Sequence, residues 1–121
     1  MRTNPDIVAS ISVGARTVQV DEQGFLIDPD TWDEDIAREM AHRLGLVLTD
    51  DHWAVITFMR DYLAEHGLMA DARFAMRFLE PRARERGLSG RALLFELFPY
   101  GYVGQACRIS GMRQPRAWST G

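Results

Sequence analysis

The chain has 121 residues, 46% hydrophobic and 26% charged, with a formal net charge of −3 and one cysteine. That is enough chain to bury one core, and the composition is that of an ordinary globular domain, not of a disordered or fibrous chain. A lone cysteine excludes an internal disulfide and favours a reducing, cytoplasmic setting, and neither a signal core in Met1–Asp6 nor a run of membrane-spanning length is present.

Thr17–Val20 alternates polar and apolar, Asp21–Gly24 supplies turn chemistry, and Phe25–Ile27 follows, a pattern that predicts a β-hairpin. The alternating stretch from Ile7 to Val13 adds a candidate strand before it. A first helix is expected near Thr31, where Thr31 and Glu34 fit a capping box and Asp30 is an alternative cap. Ile36, Ala37, Met40, Ala41 and Leu44 share its apolar face, and Gly45 is its stop. A second helix begins at Thr49, with Asp50 and Asp51 in the turn where the helix dipole favours negative charge, and ends at Gly67. Its residues Trp53, Val55, Ile56, Phe58, Met59, Tyr62 and Leu63 cover more than one face, which predicts a central position.

A third helix starts at about Asp71, with Pro81 expected to kink or restart it. Gly87–Gly90 is expected as an exposed loop between arginines, Arg91–Phe98 as a short apolar helix, and Val103–Ser110 as two further turns. The tail from Met112 has little to fold with. The charge is uneven along this path: residues 1–71 carry 14 acidic side chains and 5 arginines, while residues 72–121 carry 9 arginines and 3 glutamates. The basic half either faces an acidic partner or attracts the acidic half within the fold.

Few residues carry recognisable chemistry. His42, His52 and His66 lack a second ligand at a metal spacing, and no phosphate-cradling loop, Ser-His-Asp pattern or paired carboxylates stand out, so no metal and no cofactor are expected. His52 reads as structural. Cys107 remains, with two readings. It is either a small buried hydrophobe, or a thiol activated by the adjacent Arg108 and by Arg113 and Arg116, since positive charge favours the nucleophilic thiolate.

Gly24-Phe25-Leu26, Trp32, and Leu48-Thr49-Asp50-Asp51-His52-Trp53 resemble the N-terminal half of the DsrC/TusE family of sulfur-relay proteins. Leu97-Phe98-Pro99-Tyr100-Gly101 and Gln105-Ala106-Cys107-Arg108-Ile109-Ser110-Gly111 resemble that family's C-terminal arm, in the same order and at matching separations. The resemblance implies a mainly α fold, an orthogonal helical bundle with a small N-terminal β-hairpin, over one domain spanning 1–121 with 99–121 as the arm. It also implies sulfur carried on arm cysteines and exchanged with other sulfur-relay or sulfur-oxidation and reduction proteins, towards tRNA thiolation in TusE-type members and with dissimilatory sulfite reductase in DsrC-type ones. A monomer without membrane insertion is expected.

The sequence departs from the family at the sulfur-carrying position: eleven residues beyond Cys107, where that cysteine should stand, is Trp118. Cys107 matches the upstream arm cysteine. Two-thiol chemistry within the chain is therefore closed, and a partner has to supply any resolving thiol. On this reading Cys107 is the sulfur site and Arg108 its thiolate stabiliser. Arg73 holds the arm or an anionic sulfur species, and Tyr102 and Trp118 are aromatic anchors onto a partner or the chain's own body. A non-catalytic adaptor that kept the fold is the alternative. Nucleic-acid binding is the weakest reading, because the chain is acidic and shows no cluster of base-reading residues on one helix.

Overall fold

Two short strands open the chain as the structure, a computed structural model, describes it over residues 9–114. Ala9–Val13 (β1) and Arg16–Val20 (β2) pair antiparallel, Ile11 opposite Val18, through a turn in which Gly14 takes φ 63°. The expected hairpin between Thr17–Val20 and Phe25–Ile27 shrinks to a single bridge, Val20 with Leu26. The intervening turn explains this. Asp21 Oδ1 accepts from the backbone N–H groups of Gln23 and Phe25 at 2.9 Å each, so the chain reverses tightly and buries Phe25 and Leu26 instead of extending a ladder.

Side-chain caps set the helix starts. Glu34–Arg43 (α1) begins at Asp33, whose Oδ1 accepts from Ile36 N–H at 3.0 Å. The predicted caps Thr31 and Asp30 instead sit in a 3-10 turn, Pro29–Thr31, that Asp28 caps. Asp50–His66 (α2) starts at Thr49 as expected. Thr49 N–H donates to His52 Nδ1 at 3.0 Å, which leaves Nε2 to donate to the Leu97 carbonyl at 2.8 Å. Burial lowers the His52 pKa, and this neutral, doubly bonded ring fixes α2 against the end of the fourth helix.

Ala72–Glu85 (α3) is capped by Asp71 and runs unbroken through Pro81, which neither ends nor restarts it. Pro81 is exposed, while Leu79 and Ala83 on either side are buried and hold the helix down. Gly90–Leu97 (α4) is capped by Ser89. Gly90 is not part of an exposed loop: it is buried, its N–H donates to Glu80 at 2.8 Å, and a Cβ there would collide with the Met76 carbonyl. Glycine is what lets α4 lie so close to α3.

After Phe98 the chain makes a π-helical turn over Tyr102–Cys107 in place of the two ordinary turns expected, then reverses at Gly111, φ 76°. Met112 is buried, so the tail begins to fold where nothing was expected. Tyr102, Ala106, Cys107, Ile109 and Met112 join the buried residues of the hairpin and α1–α4 in one hydrophobic cluster. The segment resembling a family arm is, over its described part, packed into the core. Phe25 and Phe98 lie in that core, with Trp32 and Trp53 half-buried at its rim. Among the described residues no helix is long and apolar enough to cross a membrane.

Candidate functional site

Cys107 ends the π-helical turn with no exposed surface. Its Sγ lies 3.2 Å from the Met69 Sδ, in the loop between α2 and α3. Burial pushes the thiol up to about 12, so the packed form holds a proton and is a poor nucleophile. Burial, and not Arg108, therefore sets the state of the thiol in this packing. The Arg108 guanidinium stands 5.2 Å over the Phe25 ring, and its own pKa is lowered by burial and partly restored by Asp21.

The segment around the thiol is held by polar contacts from elements distant in sequence. Tyr102 is buried and its hydroxyl donates to the Ala70 carbonyl at 2.7 Å, which anchors the turn to the chain's own body. Burial raises its phenol pKa. Ser110 Oγ donates to Met59 Sδ at 3.3 Å.

Two further residues, Arg60 and Trp32, form a clamp that was not foreseen from the sequence. Arg60 of α2 donates from Nη1 to the Ser110 carbonyl at 3.1 Å and from Nη2 to the Pro29 carbonyl at 3.0 Å, with its guanidinium 4.5 Å over the Trp32 ring. Trp32 Nε1 donates to the Ile109 carbonyl at 2.9 Å, and Gly111 packs so close to this indole that a Cβ would collide with it. One arginine and one tryptophan thus satisfy the carbonyls at Ile109 and Ser110. A signal was present: Arg60 stands one helical turn from Ile56 and directly after Met59, a cation on a mostly apolar face.

Arg73 is 78% exposed in its side chain and pairs with Asp71 at 3.3 Å, beside the cap of α3. The Arg73 N–H bond is the largest cause of a lowered Asp71 pKa. Among the described contacts Arg73 is not joined to Cys107 or to the clamp. Trp118 lies outside the described residues. The uneven charge is in part used internally, because Arg82 and Arg86 of α3 and its C-terminal end both pair with Asp51 of α2, at 2.8 and 3.4 Å.

Comparison with known proteins places this geometry among relatives. The model of the family described as "DsrC like protein" matches residues 12–117. The chain is 33% identical over 100 residues to a protein named sulfurtransferase TusE from Pectobacterium atrosepticum, covering 83% of this chain and 91% of that one. It is 32% identical over 106 residues to a sulfurtransferase TusE homolog from Haemophilus influenzae, covering 87% and 95%. Its fold is similar to the oxidized gamma-subunit of the dissimilatory sulfite reductase (DsrC) from Archaeoglobus fulgidus, with a TM-score of 0.79 at 30% identity over 88% of this chain and 96% of that one. It is also similar to DsrC of Allochromatium vinosum, TM-score 0.75 at 34% identity, over 88% and 94%.

Proposed function

This chain belongs to the family of DsrC-like proteins, and we propose that, as a sulfur-relay protein of the DsrC/TusE type, it carries sulfur as a persulfide on Cys107. The observation that carries this reading is that the chain's one thiol sits on the segment matching the family's arm, under a cover of a few polar contacts. Relatives named as sulfurtransferases favour transfer over a non-catalytic adaptor.

Transfer requires the thiolate. In water an ordinary thiol loses its proton near neutral to mildly basic pH, whereas the packed Cys107 holds it to about 12. The segment 102–112 therefore has to leave its seat before the sulfur can react. Once exposed, the Cys107 thiolate attacks the outer sulfur of a donor persulfide. The Cys107 Sγ–S bond forms, the donor S–S bond breaks, and the electron pair leaves with the donor thiolate, which takes up the proton. Delivery reverses these roles against an acceptor thiol on another sulfur protein, which stands in for the resolving cysteine that this chain replaces with Trp118. Reseating then sequesters the thiol in the core.

The test is intact-protein mass spectrometry after incubating the reduced protein with glutathione persulfide, beside Cys107→Ser. A gain of one sulfur on the wild type alone is expected. If no sulfur is gained even in urea that exposes the thiol to alkylation without global unfolding, Cys107 is not a carrier.

A further inference from the structure

An open groove with a volume of about 480 Å³ runs along the outer side of α2 towards α3. Its floor is aromatic: Phe58 stacks on Phe78 at 4.7 Å between ring centroids, and Tyr62, also in the lining, stacks at 5.7 Å on Phe74 beside it. Phe78 remains 36% exposed, so this ladder is not simply core. Its charged lining is acidic. Among the described residues, Asp50, Asp61 and Glu65 line it against one cation, Arg82, which Asp51 already holds at 2.8 Å. Asp50 and Asp61 form no ion pair among the described residues, and Glu65 has only His66, at 3.1 Å.

The groove leads to the candidate sulfur site. Tyr62 and Glu65 belong to the last turns of α2, and the loop that follows carries Met69, against the Cys107 sulfur, and Ala70, which accepts from Tyr102. We propose that this groove docks a basic, extended segment of the protein that exchanges sulfur with this chain, a proposal that rests on Cys107 being the carrier. Carboxylates facing aromatic rings fit arginine and lysine side chains, whose apolar stems or guanidinium planes lie on the rings while their charges meet the acids. A segment so seated contacts the loop covering Cys107, which brings a donor or acceptor sulfur to the place where the thiol emerges.

The experiment uses two synthetic donors: a peptide of alternating arginine and alanine ending in a cysteine persulfide, and glutathione persulfide, which lacks basic residues. Sulfur gain on Cys107 is followed by mass spectrometry for the wild type and for Asp61→Asn/Glu65→Gln, two exposed positions whose change leaves the core intact. The peptide donor is expected to load the wild type faster at low salt. The double variant should lose about fivefold of that rate, as expected for two exposed pairs, and keep its glutathione persulfide rate. In parallel, backbone amide NMR with the non-persulfidated arginine peptide should move signals of 50–65, 69–70 and 74–82.

Equal loading of both proteins by the peptide, or amide shifts elsewhere, would overturn the docking proposal while leaving the carrier reading intact. If neither donor loads Cys107, the carrier reading fails, and the amide shifts still decide the groove. Self-association of the wild type that disappears in the double variant would make the occupant a second copy and would also overturn it.

Discussion

At the scale of single residues, Cys107 is a fully buried core residue, and the carrier role proposed for it requires that burial to be reversible. Seated, its proton is held to about 12 against an ordinary value of 9.0. Between those values the unfolded chain loses a proton that the folded chain keeps. The stability contributed is thus fully present below about pH 9 and lost progressively as pH rises towards 12. Urea unfolding across this window should show that loss, and Cys107→Ala should flatten its lower part, from pH 9 to 10, below the ordinary range of tyrosine. An unchanged slope would mean that the thiol is not buried in solution. The sequence shows only the neighbours of Cys107 along the chain, and so pointed to Arg108. The side chain that meets the sulfur is Met69, 38 residues upstream, and that contact exists only after the chain has folded. His52 was readable as structural, because Thr49 lies within one turn of it, yet its second partner, Leu97, is 45 residues away.

At the scale of elements, the second and third helix starts and the glycine stops were legible because they rest on residues three or four apart, as at Thr49, Gly67 and Asp71. The α1 start slipped from Thr31 to Asp33 since both positions satisfy the same local rule, and the 3-10 turn over Pro29–Thr31 decides between them. The second hairpin was overestimated for a related reason: Asp21 spends its carboxylate on a tight turn, which leaves Phe25–Ile27 a single bridge to β2, while β1 pairs along the length of β2. Gly90 was read as loop because a glycine next to a serine has no other local meaning. Its actual role depends on the carbonyl of Met76, on another helix. Gly90→Ala is expected to push α4 away from α3 and cost about 1–3 kcal/mol, measurable as a lower urea midpoint with an unchanged slope. A neutral substitution would show that the two helices can separate freely.

Over the whole molecule, the Arg60–Trp32 clamp ties three regions together: the turn at Pro29, the middle of α2, and the segment ending at Gly111. None of these contacts is local, which is why the clamp stayed hidden while the helices around it were legible. Arg60→Ala leaves the carbonyl of Ser110 without its described donor, and a buried unmade hydrogen bond costs roughly 1–3 kcal/mol. That cost falls on the seated form of segment 102–112. Alkylation of Cys107 should therefore quicken by about tenfold or more at pH 8 in urea well below the unfolding midpoint, and Arg60→Lys should recover only part of the protection, lacking the planar fork that reaches two carbonyls. Equal rates in all three proteins would show that the clamp does not govern exposure of the thiol.

The indole of Trp32 sits at the centre of this arrangement, under a guanidinium, against the backbone of Gly111, and bonded to the carbonyl of Ile109. Unseating the segment strips the Gly111 backbone and the Ile109 carbonyl from it at once, while Arg60 stays tied to the Pro29 carbonyl, and lets water reach a ring that was half-buried. The emission of Trp32 should then shift to longer wavelength as the segment lifts, an intrinsic signal for the proposed release of Cys107. On the carrier reading, each encounter with a sulfur donor that lifts the segment is then visible in real time without a label.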